Sequence, residues 1–145
     1  MKSDNYLTVT FNSDSVNESL ARSVISCFAL RLNPSISEIT DIKTAVSEAV
    51  TNCIVHAYKG TKGKIVMEAF ITDNVLHIKI TDKGVGIEDL KTALEPFYTT
   101  SPDDERSGMG FTVMESFMDK IKVDSKPGKG TTVTMIKKLD TYYEF

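Results

Sequence analysis

The segment VLHIKITDKGVGI, residues 75–87, alternates apolar and polar side chains as far as Asp82 and then breaks into two spaced glycines. By the two-residue period of a strand, Leu76, Ile78 and Ile80 share one face. Lys64–Thr72 has the same character, and Asp73-Asn74 between them reads as a tight turn, so the two runs form a hairpin. Beyond the strand, Asp82, Gly84 and Gly86 allow two readings. One is a plain turn. The other is a carboxylate at a strand end that accepts a hydrogen bond from an exocyclic amine, with glycine backbone passing close under a flat ring. The pattern lacks the third glycine of a dinucleotide fingerprint and opens no helix at once. KPGKGTT, residues 126–132, likewise fails the spacing of a phosphate loop.

Outward from this hairpin, Tyr6–Phe11 is a further strand, and NSDSVNESL (12–20) offers several helix caps. Val16, Leu20, Val24, Phe28 and Leu32 recur at helical spacing. NPSIS breaks the chain, and a second helix is expected from about Ser37, its candidate cap, to Tyr58. A third helix is expected from Phe111 to about Lys120. Ile121–Ser125 and Thr131–Lys138 then close the chain as strands around KPGKG. This order predicts an α/β (α+β) two-layer sandwich, with a mixed, mainly antiparallel sheet covered on one face by three helices. Between the glycines of the opening segment and Gly110 runs a long connection with a short helix in EDLKTALE. A connection of that length inside a small domain is expected to be a functional lid, here about residues 87–110.

Composition narrows the function classes. The chain of 145 residues, 41% hydrophobic and 26% charged, reads as one globular domain, 1–145. A net charge of −3 without a basic stripe disfavours direct nucleic-acid binding. No apolar run is long enough for a membrane span or a secretion signal, so a cytoplasmic protein is expected. Cys27 and Cys53 fall in apolar helical patterns and read as buried, reduced core residues. No Cys/His spacing suggests a metal site built from protein ligands alone.

Two further stretches carry chemistry. In TAVSEAVTNCIVHAY (44–58), Val46, Ala49, Val50, Cys53, Ile54 and Ala57 gather on one side of a helix. Glu48 and Asn52 lie together on roughly the opposite side, one turn apart. They read either as a solvated polar face or as a proton acceptor beside an amide oxygen that suits Mg²⁺. His56 follows on the same side and takes no role here. In ERSGMGFTVMESFMD (105–119), Gly108 and Gly110 precede an apolar helix anchored by Phe111, Met114, Phe117 and Met118. Arg106 and the bare amides suit a phosphate. The competing reading is a surface loop whose arginine pairs with Asp103, Asp104 or Glu105.

The order of these elements resembles the GHKL (Bergerat-fold) ATPases and kinases. The N box corresponds to Glu48–Asn52, the first glycine box to Asp82–Gly86, the second to Gly108-Met109-Gly110, and the closing strand motif to Gly130-Thr131-Thr132. EAVTN, YTTSPDDERSGMGF and TVMESFMD are similar to the family's bacterial anti-sigma serine-protein kinases, across residues 6 to 139. The resemblance implies ATP or ADP as ligand, with Mg²⁺ held by Asn52 and the phosphates. Asp82 would read the adenine amine, with Gly84, Gly86 and Thr131 around the base, and Glu48 would be the general base. It further implies that Arg106, with Thr99, Thr100, Ser107, Gly108, Met109 and Gly110 of the lid, closes on the phosphates. Arg22 matches a partner-binding position. The implied partners are a sigma-F-type sporulation sigma factor, held inactive, an anti-anti-sigma factor carrying the acceptor serine, and a second copy in a homodimer. Two other readings stand beside this one. The catalytic domain of a sensor histidine kinase would need a phosphoacceptor histidine on a separate helical hairpin, and only His56 and His77 occur. A nucleotide-gated sigma-binding module would perform no transfer.

Overall fold

The computed structural model describes residues 5–90, 94 and 110–140. Thr99, Thr100, Arg106, Ser107, Gly108 and Met109 lie outside them, as do most of the lid and half of the helix expected in EDLKTALE. The strands are β1 (Asn5–Asn12), β2 (Lys64–Thr72), β3 (Val75–Asp82), β4 (Lys120–Lys126) and β5 (Gly130–Lys138). The helices are α1 (Asn17–Ala29), α2 (Ile36–Asn52) and α3 (Phe111–Phe117). The sheet order is β1-β2-β3-β5-β4, and every pairing among the described strands is antiparallel. The expected two-layer sandwich is present, and its antiparallel character is complete in these strands.

Strand parity decides which residues meet the helices. Leu76, Ile78 and Ile80 of β3 are buried, as are Ile65, Met67, Ala69 and Ile71 of β2 and Val133 and Met135 of β5. The opposite face is open; there Phe70 and His77 stack across β2 and β3 with ring centroids 4.2 Å apart. Along the helix-covered face, register gives successive transverse rows. One is Val9, Met67, Ile80, Val133 and Val123; the last at this end is Phe11, Ile65, Asp82, Thr131 and Ser125. The rows therefore change from wholly apolar to polar at one end of the sheet. Asp82 occupies an inward position in line with three buried aliphatic side chains.

The helix α2 lies across this face. Ser35 caps it: its hydroxyl accepts from the Glu38 amide at 3.0 Å, and the Glu38 carboxylate accepts from the Ser35 amide at 2.9 Å. This reciprocal box starts the helix at Ile36, with its cap at Ser35, two residues before the expected cap at Ser37. At its other end α2 continues as a π-helical turn over Cys53–Ala57, closed by the Tyr58 amide donating to the Cys53 carbonyl at 3.1 Å. Near mid-helix, Asp41 meets Lys137 of β5 at 3.7 Å, and Lys137 also donates to the Phe117 carbonyl at 2.8 Å. That lysine ties α2, α3 and the sheet at the end remote from Asp82.

Two expectations are corrected. The buried stripe of α1 is Ala21, Ile25 and Ala29, continued by Leu32, whereas Val16 and Leu20 are exposed. Leu20, Val24 and Phe28 each precede a residue of this stripe by one position, about 100° around the axis, so the expected series runs beside the core face rather than along it. Cys27, two residues beyond Ile25, is consequently exposed rather than buried. The α2 stripe is as expected, with Val46, Ala49, Val50, Cys53 and Ala57 all buried.

Because the Ser35–Glu38 box starts the helix that carries Glu48 and Asn52, Ser35→Ala should lower stability by about 1 kcal/mol. Ser35→Asp should retain most of it. Urea unfolding followed by circular dichroism checks both.

Candidate functional site

The polar end of the sheet and the π turn of α2 enclose a recess. Its walls include Asn52 and Cys53 from α2 and the turn, Asp82 from β3, Gly86 and Ile87 beyond it, Phe111 from α3, and Thr131 from β5. Of the expected site residues, Asn52, Asp82, Gly86 and Thr131 thus converge from three separate stretches of chain. Glu48 lies one turn along α2 and opens on an adjoining depression with Arg22, Lys43 and Ser47.

Asp82 is 5% exposed. Its Oδ1 accepts from the main-chain amides of Gly84 at 2.9 Å and Thr131 at 3.2 Å, and Cys53 lines the same recess. Burial nonetheless dominates and raises the carboxyl above its ordinary value of 3.8, against the opposing pull of these donors. Burial, followed by the Asp82 charge, raises the Cys53 thiol well above 9.0. Cys53 therefore stays a thiol.

The loop beyond Asp82 is fixed from two sides. The Tyr58 hydroxyl accepts from the Lys83 amide at 2.8 Å and donates to the Lys64 carbonyl at 2.6 Å, which ties the helix end to both hairpin strands. The Val85 amide donates to the Ala57 carbonyl at 2.9 Å, and Gly128 donates to the Val85 carbonyl at 2.6 Å. Gly86 has φ +75°, and a Cβ there would stand 2.1 Å from the Lys126 carbonyl oxygen. Only glycine fits this approach of the 83–87 loop to the β4–β5 turn. On the far wall, Ser125 Oγ accepts from the Ile87 amide at 2.9 Å and lies 2.7 Å from Thr131 Oγ1. One hydroxyl thus braces both the loop and the threonine facing the recess.

Gly110 caps α3 in the left-handed region, with φ +67°. A Cβ on it would lie 2.5 Å from Glu48 Oε2, so the residue that ends the long connection is seated against the Glu48 carboxylate. Arg22 is held on α1 by Glu18 at 3.6 Å and by the Ser19 hydroxyl at 3.1 Å. Glu18 also accepts from Ser47 of α2 at 2.5 Å. The structure brings Arg22 to the Glu48 depression rather than to the recess.

Cys53, Tyr58 and Ser125 are site residues that sequence reasoning placed elsewhere or left out. Cys53 was counted with the core, and its position directly after Asn52 was the available signal. Tyr58 and Ser125 act through contacts between distant segments and left no local pattern. Among the described residues no cluster of three His, Cys, Asp or Glu could hold a metal. No helix among them is long and apolar enough to cross a membrane. A lone amide such as Asn52 suits Mg²⁺ that takes most of its ligands from phosphates and water.

Comparison with known proteins agrees with this geometry. A model of the histidine kinase-like ATPase domain matches residues 11–137. An anti-sigma F factor from Caldanaerobacter subterraneus subsp. tengcongensis is 55% identical over 137 residues, spanning 94% of this chain and 96% of that protein. One from Clostridium acetobutylicum is 53% identical over 136 residues, spanning 94% and 95%. Among solved structures, the RsbU and RsbW domains of a Mycobacterium tuberculosis protein align with TM-score 0.66 at 20% identity, over 93% of this chain and 32% of that one. The catalytic domain of the histidine kinase ThkA aligns with TM-score 0.58 at 17% identity, over 92% of this chain and 96% of that one. These two likenesses concern the fold.

The raised carboxyl of Asp82 has a thermodynamic consequence. The folded chain holds that proton at a higher pH than the unfolded chain does. This group's contribution to stability therefore grows as pH falls through its raised value toward 3.8, and shrinks as pH rises. In urea unfolding between pH 7 and pH 4, wild type should gain stability relative to Asp82→Asn on acidification. A difference that stays constant across the range would contradict the assignment.

Proposed function

The chain belongs to the histidine kinase-like ATPase family, in the branch of the anti-sigma F factors, and on that premise we propose an ATP-dependent protein-serine kinase that also holds a sigma factor inactive. The observation that carries the proposal is the inward Asp82 carboxylate, sharing one recess with Asn52 and Thr131 while Glu48 stands one turn along the same helix.

In this reading, Asp82 accepts the exocyclic amine of adenine, and Thr131 and Gly86 bound the base. Asn52 supplies an amide oxygen to Mg²⁺, which when bound would neutralise phosphate charge. Glu48 takes the proton of a serine hydroxyl as its oxygen bonds to the γ-phosphorus. The bond from that phosphorus to the β–γ bridging oxygen breaks, and ADP departs. Arg106, Thr99, Thr100, Ser107 and the amides of Gly108, Met109 and Gly110 close over the phosphates as a lid spanning about residues 87–110. The acceptor serine belongs to an anti-anti-sigma factor and enters by the depression that Glu48 shares with Arg22. The sigma factor is of the sporulation sigma-F type, and the active unit is a cytoplasmic homodimer of one-domain chains.

The Glu48 depression favours transfer over a second reading, a nucleotide-gated binding module without chemistry. A carboxylate placed beyond the recess has no evident role in holding a base. With Mg-ATP and an anti-anti-sigma partner, Glu48→Gln should lose phosphorylation by about 10²- to 10⁴-fold while retaining ATP. Asn52→Ala should instead lose Mg-dependent ATP retention. A wild type that transfers nothing would leave the binding module standing, and a Glu48→Gln protein at full rate would remove Glu48 as base.

A further inference from the structure

In the register of the sheet, Thr131 stands directly opposite Asp82 of β3 and Ser125 of β4. Its main chain is fixed, because its amide donates to Asp82 Oδ1 at 3.2 Å. It lines the recess and is partly exposed. Its Oγ1 lies 2.7 Å from Ser125 Oγ, the ordinary length of an O–H···O bond. Ser125 Oγ also accepts from the Ile87 amide at 2.9 Å and lies 3.2 Å from the Gly130 carbonyl oxygen. Ser125 lines an adjoining depression with Lys126 and Lys129, and it meets the recess through Thr131.

A hydroxyl has one hydrogen to give and two lone pairs. Ile87 occupies one lone pair of Ser125, and the 2.7 Å contact holds one hydrogen, given by either residue. When Ser125 gives it, the Thr131 hydrogen is left to the recess. When Thr131 gives it, Ser125 turns its own hydrogen to the Gly130 carbonyl, and Thr131 offers the recess lone pairs only. The pair thus presents a donor or an acceptor beside Asp82 according to what the ligand brings. The amine of adenine is flanked by two ring nitrogens, N1 and N7, and both only accept. A base with its amine at Asp82 brings such an acceptor to the neighbouring position and draws the pair into the first state.

We propose that Ser125 is a positioning residue for base selection: by donating to Thr131 Oγ1, it turns the Thr131 hydrogen toward the ring nitrogen that flanks the amine held by Asp82. The inference rests on the reading of Asp82 as the base-reading group. Asp82 and Thr131 then form an acceptor–donor pair that matches the donor–acceptor edge of an aminopurine, while Ser125 acts only through Thr131. Without Ser125, the Thr131 hydroxyl keeps its place on β5 but loses the partner that orients and polarises it. A base with C–H in place of that nitrogen has nothing to lose.

The test measures equilibrium binding of Mg-ATP, Mg-1-deaza-ATP and Mg-7-deaza-ATP to the full chain. Each analogue keeps the amine and replaces one flanking nitrogen by C–H. Wild type should bind one of the two analogues more weakly than ATP, which identifies the nitrogen read. Ser125→Ala should weaken ATP roughly fivefold, the size of a neutral hydrogen bond, and leave that analogue within about twofold. Ser125→Thr, which keeps the hydroxyl, should recover most of the preference. In a Thr131→Val background, adding Ser125→Ala should change ATP binding by less than about twofold, because its route to the base is gone. Equal weakening of all three nucleotides by Ser125→Ala would reduce Ser125 to a brace for Ile87 and overturn the inference. So would an undiminished preference for ATP in that variant, or a full loss that persists in the Thr131→Val background. A wild type that binds ATP and both deaza analogues alike, yet prefers ATP to the amine-free purine ribonucleoside triphosphate, would overturn it while leaving Asp82 as the base reader. A wild type that ignores the amine as well would remove the Asp82 reading, and this inference with it.

Discussion

A carboxylate turned into an apolar face is the constraint on which the rest of this fold depends. Asp82 follows Leu76, Ile78 and Ile80 on the inner side of β3. An ionised group there is unfavourable unless its lone pairs are met. Two of the donors that meet them are main-chain amides, which requires the 83–87 loop to double back and β5 to begin opposite Asp82 in a fixed register. The loop in turn holds its path because Tyr58 bridges Lys83 and Lys64 and because Gly86 admits the Lys126 carbonyl. Local geometry around the recess is thus a set of consequences of hydrogen-bonding one inward carboxylate.

The strands were legible where one face is apolar and the period is short. The bounds of β2 and β3 coincide with the runs read from alternation, since a one-residue slip would turn every side chain to the other face. Helix faces were less legible for a geometric reason. Val16, Leu20, Val24, Phe28 and Leu32 look periodic, but only a pattern mixing third- and fourth-residue steps stays on one side. Ala21, Ile25, Ala29 and Leu32 do so, and small alanines attract less notice than the exposed Val16 and Leu20. The cap at Ser35 was readable in principle, because Glu38 follows three residues later, whereas Ser37 has Thr40 at that place.

The site was legible in its polar landmarks and not in its supports. Asn52, Asp82, Gly86 and Thr131 occur in motifs whose spacing carries chemistry, and the fold brings them to one recess. Cys53 is apolar by habit and was assigned to the core by its helical position; only the register of β3 puts a carboxylate beside it. Ser125 and Tyr58 brace segments 38 and 25 residues away in the chain. Side-chain hydrogen bonds across such separations follow from topology, and topology is the level at which periodicity is silent.

In the proposed function, the arrangement along α2 separates recognition from chemistry. Asn52 faces the recess that contains Asp82, while Glu48, one turn toward the helix start, opens on the depression with Arg22 and Lys43. Side chains four residues apart on a helix are about 5–6 Å from each other at Cβ, a spacing comparable to a short run of phosphates. A nucleotide with its base at Asp82 would therefore run past Asn52 and present its terminal phosphate near Glu48. That end is reached from outside the recess, so an acceptor hydroxyl need not pass the base. Gly110 sits against the Glu48 carboxylate with no room for a side chain. Any shift in the end of the long connection would therefore reach the Glu48 carboxylate, the group proposed to take the proton.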